Sequence, residues 1–117
     1  MTQYVGSCHC GTIKYSFNAD ITQVVECNCS LCRRRGFLWH FTLPDQVALT
    51  LPEGAYTTYL FNKHTVKHYF CNTCGCAPFS AGKAPSGADA VAINLRCLDE
   101  ALDLSDIKRI AFDGDAI

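Results

Sequence analysis

Gly6-Ser7-Cys8-His9-Cys10-Gly11-Thr12-Ile13-Lys14-Tyr15-Ser16-Phe17 is the stretch whose reading decides the fold. Residues 12–17 alternate: Ile13, Tyr15 and Phe17 fall on one face, Lys14 and Ser16 on the other, the pattern of a half-buried strand. Residues 3–7 lie just before it, across the turn Cys8-His9-Cys10-Gly11, and form the other arm of a hairpin. Gly11 permits the positive φ needed where the chain bends sharply around its own tip. The tip carries two thiols one residue apart, the composition of a metal knuckle.

Working outward, the chain holds nine cysteines in 117 residues, and seven of them fall into three clusters. Cys8 and Cys10 make a C-x-C pair, Cys27, Cys29 and Cys32 a C-x-C-x-x-C triplet, and Cys71 and Cys74 a C-x-x-C pair. Spacings this short bring several thiolates within reach of one ion, which is what tetrahedral zinc requires. Four ligands close a structural site, whereas three leave a position for water or substrate. Seven clustered cysteines therefore point to two zinc ions per chain with different tasks. The pairs Cys8/Cys10 and Cys71/Cys74 have the two-plus-two form of a four-cysteine site, although spacing alone also allows the first pair to combine with part of the triplet. An odd cysteine count argues against a fully paired disulfide framework. A redox switch at Cys71 and Cys74 would need those thiols free of metal and acidified.

The rest of the chain reads as short strands between turns. Strands are expected over residues 37–42, 47–51, 56–61, 65–71 and 90–95. Pro52-Glu53-Gly54 and Asn62-Lys63-His64 serve as turns. Residues 78–80 suggest an edge strand, residues 81–87 a loop rich in Gly, Pro and Ser, and residues 98–107 one short helix. The fold class expected is mainly β and antiparallel, with residues 1–117 forming a single zinc-binding domain. So small a core gains most from metal staples.

Ten basic and eleven acidic residues give a formal charge of −1, which excludes the electrostatic footprint of a nucleic-acid binder. No apolar run approaches the ~20 residues of a membrane span, and residues 1–6 lack the features of a secretory leader. A cytoplasmic, reducing location is expected, where clustered cysteines mean metal rather than disulfides.

The triplet Cys27, Cys29 and Cys32 is the candidate reactive centre. A divalent ion with three thiolates is soft and suits a sulfur ligand. Arg33, Arg34 and Arg35 follow directly. An arginine run is most often a solvated turn, but beside such a centre these three are candidates to bind the carboxylates of an anionic thiol. Cys76 and Cys97 read as bystander thiols. His9 belongs to the first knuckle and points away from its metal, His64 and His68 suit surface or cross-strand roles, and His40 is the histidine to consider near the triplet.

Laid out this way, the chain resembles the family of glutathione-dependent formaldehyde-activating enzymes and centromere protein V. The resemblance runs through Gly6-Ser7-Cys8-His9-Cys10-Gly11, Cys27-Asn28-Cys29-Ser30-Leu31-Cys32-Arg33 and Phe70-Cys71-Asn72-Thr73-Cys74-Gly75, and continues in Asn94-Leu95-Arg96-Cys97-Leu98-Asp99 and Phe112-Asp113-Gly114. It implies an Mss4-like fold of coiled antiparallel sheets with zinc knuckles. It also implies a structural zinc on Cys8, Cys10, Cys71 and Cys74, and a catalytic zinc on Cys27, Cys29 and Cys32. The implied activity is that of a carbon–sulfur lyase acting on thiol adducts of small aldehydes, with glutathione and formaldehyde as partners, forming or cleaving S-hydroxymethylglutathione. The rival expectation is a non-catalytic zinc-stabilised binding module, in which both ions are structural.

Overall fold

The computed structural model describes residues 1–60, 66–83, 86–100, 102, 103, 105 and 107–112. Strand β1 (Thr2–Ser7) pairs antiparallel with β2 (Lys14–Ala19), so that Ser7 faces Lys14 and the cysteine knuckle is the connecting loop. The Cys8 N–H donates to the Ile13 carbonyl at 2.9 Å and Gly11 N–H to the Cys8 carbonyl at 3.0 Å, closing the knuckle on itself. Gly11 takes φ 84°. Strand β5 (Val47–Thr50) completes this first sheet, in the order β1-β2-β5.

The second sheet has seven strands. Along the chain these are β3 (Gln23–Cys27), β4 (Trp39–Thr42), β6 (Tyr56–Tyr59), β7 (Lys67–Cys71), β8 (Phe79–Lys83), β9 (Asp89–Asn94) and β10 (Lys108–Phe112). Their order in space is β10-β3-β4-β9-β8-β7-β6. The fold is mainly β, as expected, and among the described residues its strand pairings are antiparallel save one: β10 runs parallel to β3, aligned from Lys108 beside Gln23 to Phe112 beside Cys27. Among the described residues one α-helix, α1 (Ser30–Arg35), occurs, and it follows β3.

The main core lies where the two sheets meet. Tyr15 and Phe17 of the first sheet, with Ile13 just before β2, meet Val24, Leu38, Phe79, Val91, Ile93 and Leu95, and the Cys8 and Cys71 thiols are buried among them. The alternation read in residues 12–17 is thus the inward face of β2. Tyr15 carries a polar tip into this core and satisfies it by donating from Oη to the Asn94 carbonyl at 2.9 Å. A smaller cluster of Cys32, Phe37, Trp39 and Ala77 packs with Val25, Cys27, Cys29, Leu31, Phe70 and Ala92.

Three expectations are corrected. Phe79 and Ser80 are not on an edge: β8 sits between β7 and β9, with both residues buried. The strand also runs on through Ala81, Gly82 and Lys83, residues expected in a loop. Small side chains occur there because Val66 packs over Gly82, where a Cβ would stand 3.2 Å from Val66 Cγ2. Over residues 98–107 the described positions are not helical. Leu98 instead bridges to Gly6, and Asp99 N–H donates to the Val5 carbonyl at 3.0 Å, so this segment is tied to β1 by its backbone. The expected turn at Asn62, Lys63 and His64 lies outside the described residues.

Candidate metal centres

Two groups of sulfurs emerge from this framework. The knuckle at the β1–β2 tip brings Cys8 and Cys10 against Cys71, the last residue of β7, and Cys74 in the turn that follows. All four Sγ atoms lie within 4.8 Å of one another. Cys10 Sγ is 3.6 Å from Cys8 Sγ and 3.5 Å from Cys71 Sγ. A tetrahedral ion with sulfur at about 2.3 Å sets its ligands about 3.8 Å apart, so these spacings suit one. The second group is Cys27, Cys29 and Cys32, whose three sulfurs also lie within 4.8 Å of one another. Among the described residues, no fourth His, Cys, Asp or Glu belongs to that group.

Backbone geometry prepares both groups for anionic sulfur. In the first, Ile13 N–H donates to Cys8 Sγ and Thr73 N–H to Cys71 Sγ, each at 3.3 Å. Thr12 serves Cys10 through its hydroxyl, at 3.2 Å, and its amide. Cys74 takes the amides of Cys10 and Cys76. Before any ion binds, the thiols are split. Burial pushes Cys8 up to about 11, whereas Cys74, against the upward push of its burial, is drawn down to about 6 by those two amides and by neighbouring sulfurs. Hydrogen bonds to thiolate favour the charged form that a metal needs.

In the second group, Cys29 N–H donates to Cys27 Sγ at 3.5 Å, and Cys32 N–H to Cys29 Sγ at 3.3 Å. Cys29 is also the N-cap of α1, a place usually held by Ser, Thr, Asp or Asn. The helix ends after six residues at Gly36, with φ 70° and its N–H on the Cys32 carbonyl at 2.8 Å. Arg96 Nε donates to the Gly36 carbonyl and pins that end. Burial raises Cys27 and Cys32, while Cys29, though partly buried, is lowered by the Cys32 N–H and its neighbouring thiols. Sulfur-only donors aligned by N–H groups fit a soft divalent ion at both places.

The arginines are dealt different surroundings by the short helix. Arg34 Nη1 donates to the Ser30 carbonyl at 2.8 Å. Arg35 Cζ stands 5.9 Å from the Phe37 ring centre and 5.6 Å from that of Phe70, within reach of both π-faces. Arg33 is exposed.

His40 is not beside the triplet. It alternates with Trp39 along β4, so its ring faces the other way and stacks on Phe17 at 5.0 Å. His68 is buried rather than on the surface. Its cross-strand partner is Ser80, whose Oγ is 2.9 Å from Nδ1, and its ring stacks toward Phe37 at 6.4 Å. Burial first, and then Arg35, lower its pKa to about 4. Cys76 and Cys97 stand outside both sulfur groups and pack on the main core.

Trp39 and Phe70, which pack around the triplet, are not anticipated from the sequence. The chain's one tryptophan, seven residues after Cys32 in a β-prone run, was the available signal. A hollow of about 310 Å³ shares Val25 and Trp39 with the triplet's cluster and extends to Asp20, Thr22 and Phe41.

With these groups in place, comparison with known proteins is decisive. The family described as glutathione-dependent formaldehyde-activating enzyme matches residues 3–112, a span that contains all seven clustered cysteines. The chain belongs to the glutathione-dependent formaldehyde-activating family. A crystal structure of a Rhodobacter sphaeroides protein is similar at 26% identity, covering 91% of this chain and 99% of that one with a TM-score of 0.74. The family fold and the two sulfur groups therefore occur together in one chain. No helix among the described residues is long and apolar enough to cross a membrane.

Proposed function

We propose that this chain is a zinc-dependent carbon–sulfur lyase of the glutathione-dependent formaldehyde-activating type, forming or cleaving S-hydroxymethylglutathione. One observation carries the reading: beside a complete four-cysteine group, Cys27, Cys29 and Cys32 converge with no fourth ligand residue among those described. Cys8, Cys10, Cys71 and Cys74 hold the structural zinc, and Cys27, Cys29 and Cys32 the second. A zinc ion held by the triplet would stabilise the thiolate form of an incoming thiol at neutral pH, where a free thiol with pKa near 8.5 is mostly protonated.

The chain's own residues supply placement. Arg33, exposed on α1, and Arg35, held near the Phe37 and Phe70 rings, follow Cys32 directly in the chain and are suited to the two carboxylates of glutathione. Arg34, already engaged with the Ser30 carbonyl, contributes charge more than a directed bond. Phe37 and Phe70 orient the Arg35 guanidinium. In the forward direction, a sulfur lone pair forms the C–S bond to the aldehyde carbon. The carbonyl π pair moves to oxygen, and the proton lost by the thiol reaches that oxygen through water. Cleavage is the reverse. Because no side chain among the described residues is placed as a base, the rate gain comes chiefly from holding thiol and aldehyde together.

Exchange spectroscopy of glutathione, formaldehyde and their adduct tests this. The zinc-loaded protein is expected to speed interconversion above the spontaneous rate, and Cys29→Ser to abolish the gain while remaining folded. An unchanged exchange rate with two firmly held zinc ions would leave the zinc-stabilised binding module instead.

A further inference from the structure

The triplet differs from the four-cysteine group in where its most buried sulfur finds a hydrogen-bond donor. Cys8, Cys10, Cys71, Cys74, Cys27 and Cys29 each accept backbone N–H groups. Cys32 instead takes the indole of Trp39, whose Nε1 donates to Cys32 Sγ at 3.4 Å. Both residues are buried, Cys32 at 5% exposure and Trp39 at 4%. The indole is itself held: Phe37 packs against it at 4.2 Å between ring centres, and its strand is locked between β3 and β9. Burial penalises a charged sulfur, and an N–H aimed at it offsets that penalty while drawing off some of its charge. Groups that orient metal ligands in this way commonly carry a 10–100-fold share of metal affinity.

We propose that Trp39 is the positioning residue of the three-sulfur group: its indole N–H fixes Cys32 Sγ and moderates its charge, and so sets how tightly the group holds a divalent ion. This rests on the reading that the triplet binds an ion. The indole is a donor only, so it cannot become a fourth ligand and leaves the group three-coordinate in protein atoms. A backbone amide would act whatever the sequence, whereas this bond depends on one side chain and can be removed by one substitution.

The test uses cobalt(II) on the full-length protein and on Trp39→Phe, which keeps an aromatic ring but loses the N–H. The four-cysteine group serves as internal control, and its affinity in chelator competition is expected to stay within about twofold. Affinity at the triplet is expected to fall about 10–100-fold. The sulfur-to-cobalt charge-transfer band of that site should move to lower energy, because Cys32 becomes the more electron-rich donor. A merely structural tryptophan would not shift the band. Unchanged triplet affinity and band position would overturn the inference and leave the enzyme reading standing. Normal cobalt behaviour without catalysed exchange would do the reverse, and absence of cobalt from the triplet overturns both.

Should Trp39→Phe fail to fold, the native protein still decides. The single indole N–H resonance is expected to shift when zinc fills the triplet, and to lose that response in Cys32→Ser. No shift on filling overturns the proposal.

Discussion

Removing one sulfur from each group should have opposite consequences for folding. Cys71→Ser takes a ligand from the group that joins the β1–β2 knuckle to the end of β7, and Cys8 and Cys71 are each only 1% exposed within the main core. Structural zinc contributes an apparent ~10–16 kcal/mol at neutral pH, against a net stability of ~5–15 kcal/mol for a typical domain. Burying a serine hydroxyl in place of the thiol adds a further ~1–3 kcal/mol of cost if it stays unsatisfied. Cys71→Ser is therefore expected to lose its cooperative thermal transition altogether.

Cys29→Ser is milder. Serine is a strong N-cap, so the bond from the Cys32 N–H to residue 29 can survive and α1 with it. This variant should melt cooperatively and carry one zinc, where the native chain is expected to carry two. Elemental analysis with circular-dichroism melting checks both. A Cys71→Ser protein that melts near the native temperature, or a Cys29→Ser protein that unfolds or keeps two zinc ions, would refute the division of labour.

Two further outcomes follow from packing and charge. A Cβ at Gly6 would run into the Tyr15 ring and stand 2.6 Å from the Cys97 carbonyl oxygen, so Gly6→Ala should cost about 2 kcal/mol or more and lower Tm by roughly 8 °C or more; a Tm within about 2 °C of native would show that the contact relaxes freely. His68, buried against Phe37 and Ser80 and near Arg35, is favoured neutral in the folded state at a pKa of about 4, below its ordinary 6.5. The unfolded chain thus binds the extra proton first, and this contribution to stability is present above pH ~6.5 and lost as pH falls toward 4, up to roughly 3 kcal/mol. Ligand protonation acts on native and His68→Gln proteins alike, so their difference isolates the histidine: the variant should lose less stability between pH 7 and 5, and equal slopes would refute it.

The parts of this fold legible in the sequence were those written in local pattern. The alternation of Ile13, Tyr15 and Phe17 gave the inward face of β2, and the cysteine spacings gave the two groups their membership once the resemblance fixed the pairing. What escaped notice depended on partners distant in the chain. β8 looked like an edge and a loop because Ser80, Ala81 and Gly82 are small, yet they are small because Val66 and the neighbouring strands crowd them. α1 is short and its cap is Cys29, although Asn28 and Ser30, the residue types that usually cap a helix, stand on either side of it. β10 was missed because its pairing is with β3, more than eighty residues earlier, and is stabilised from outside by Arg109 Nη1 to Glu26 Oε1 at 3.2 Å. For His68 the sequence allows a surface or a cross-strand role, and the register with Ser80 selects the second and shows why a histidine can be buried there.

The two sulfur groups differ most in the length of chain they tie together. Cys10 lies in the knuckle of the first sheet and Cys71, 61 residues on, ends a strand of the second, whereas the triplet spans only residues 27–32 at the junction of β3 and α1. An ion on the first group must close a long loop, which an unfolded chain resists by on the order of 2 kcal/mol more than the short one. It also clamps the two sheets whose inward faces make the core. Folding and metal binding are then one event at that group. An ion on the triplet closes only a local turn that β3, α1 and the Gly36 cap already shape. Its loss leaves the sheets and their core contacts in place, so the fold tolerates exchange there. Tolerance of that kind is what a ligand-exchanging centre requires, so it supports the proposed split between a group that holds the fold together and one that exchanges its ligand.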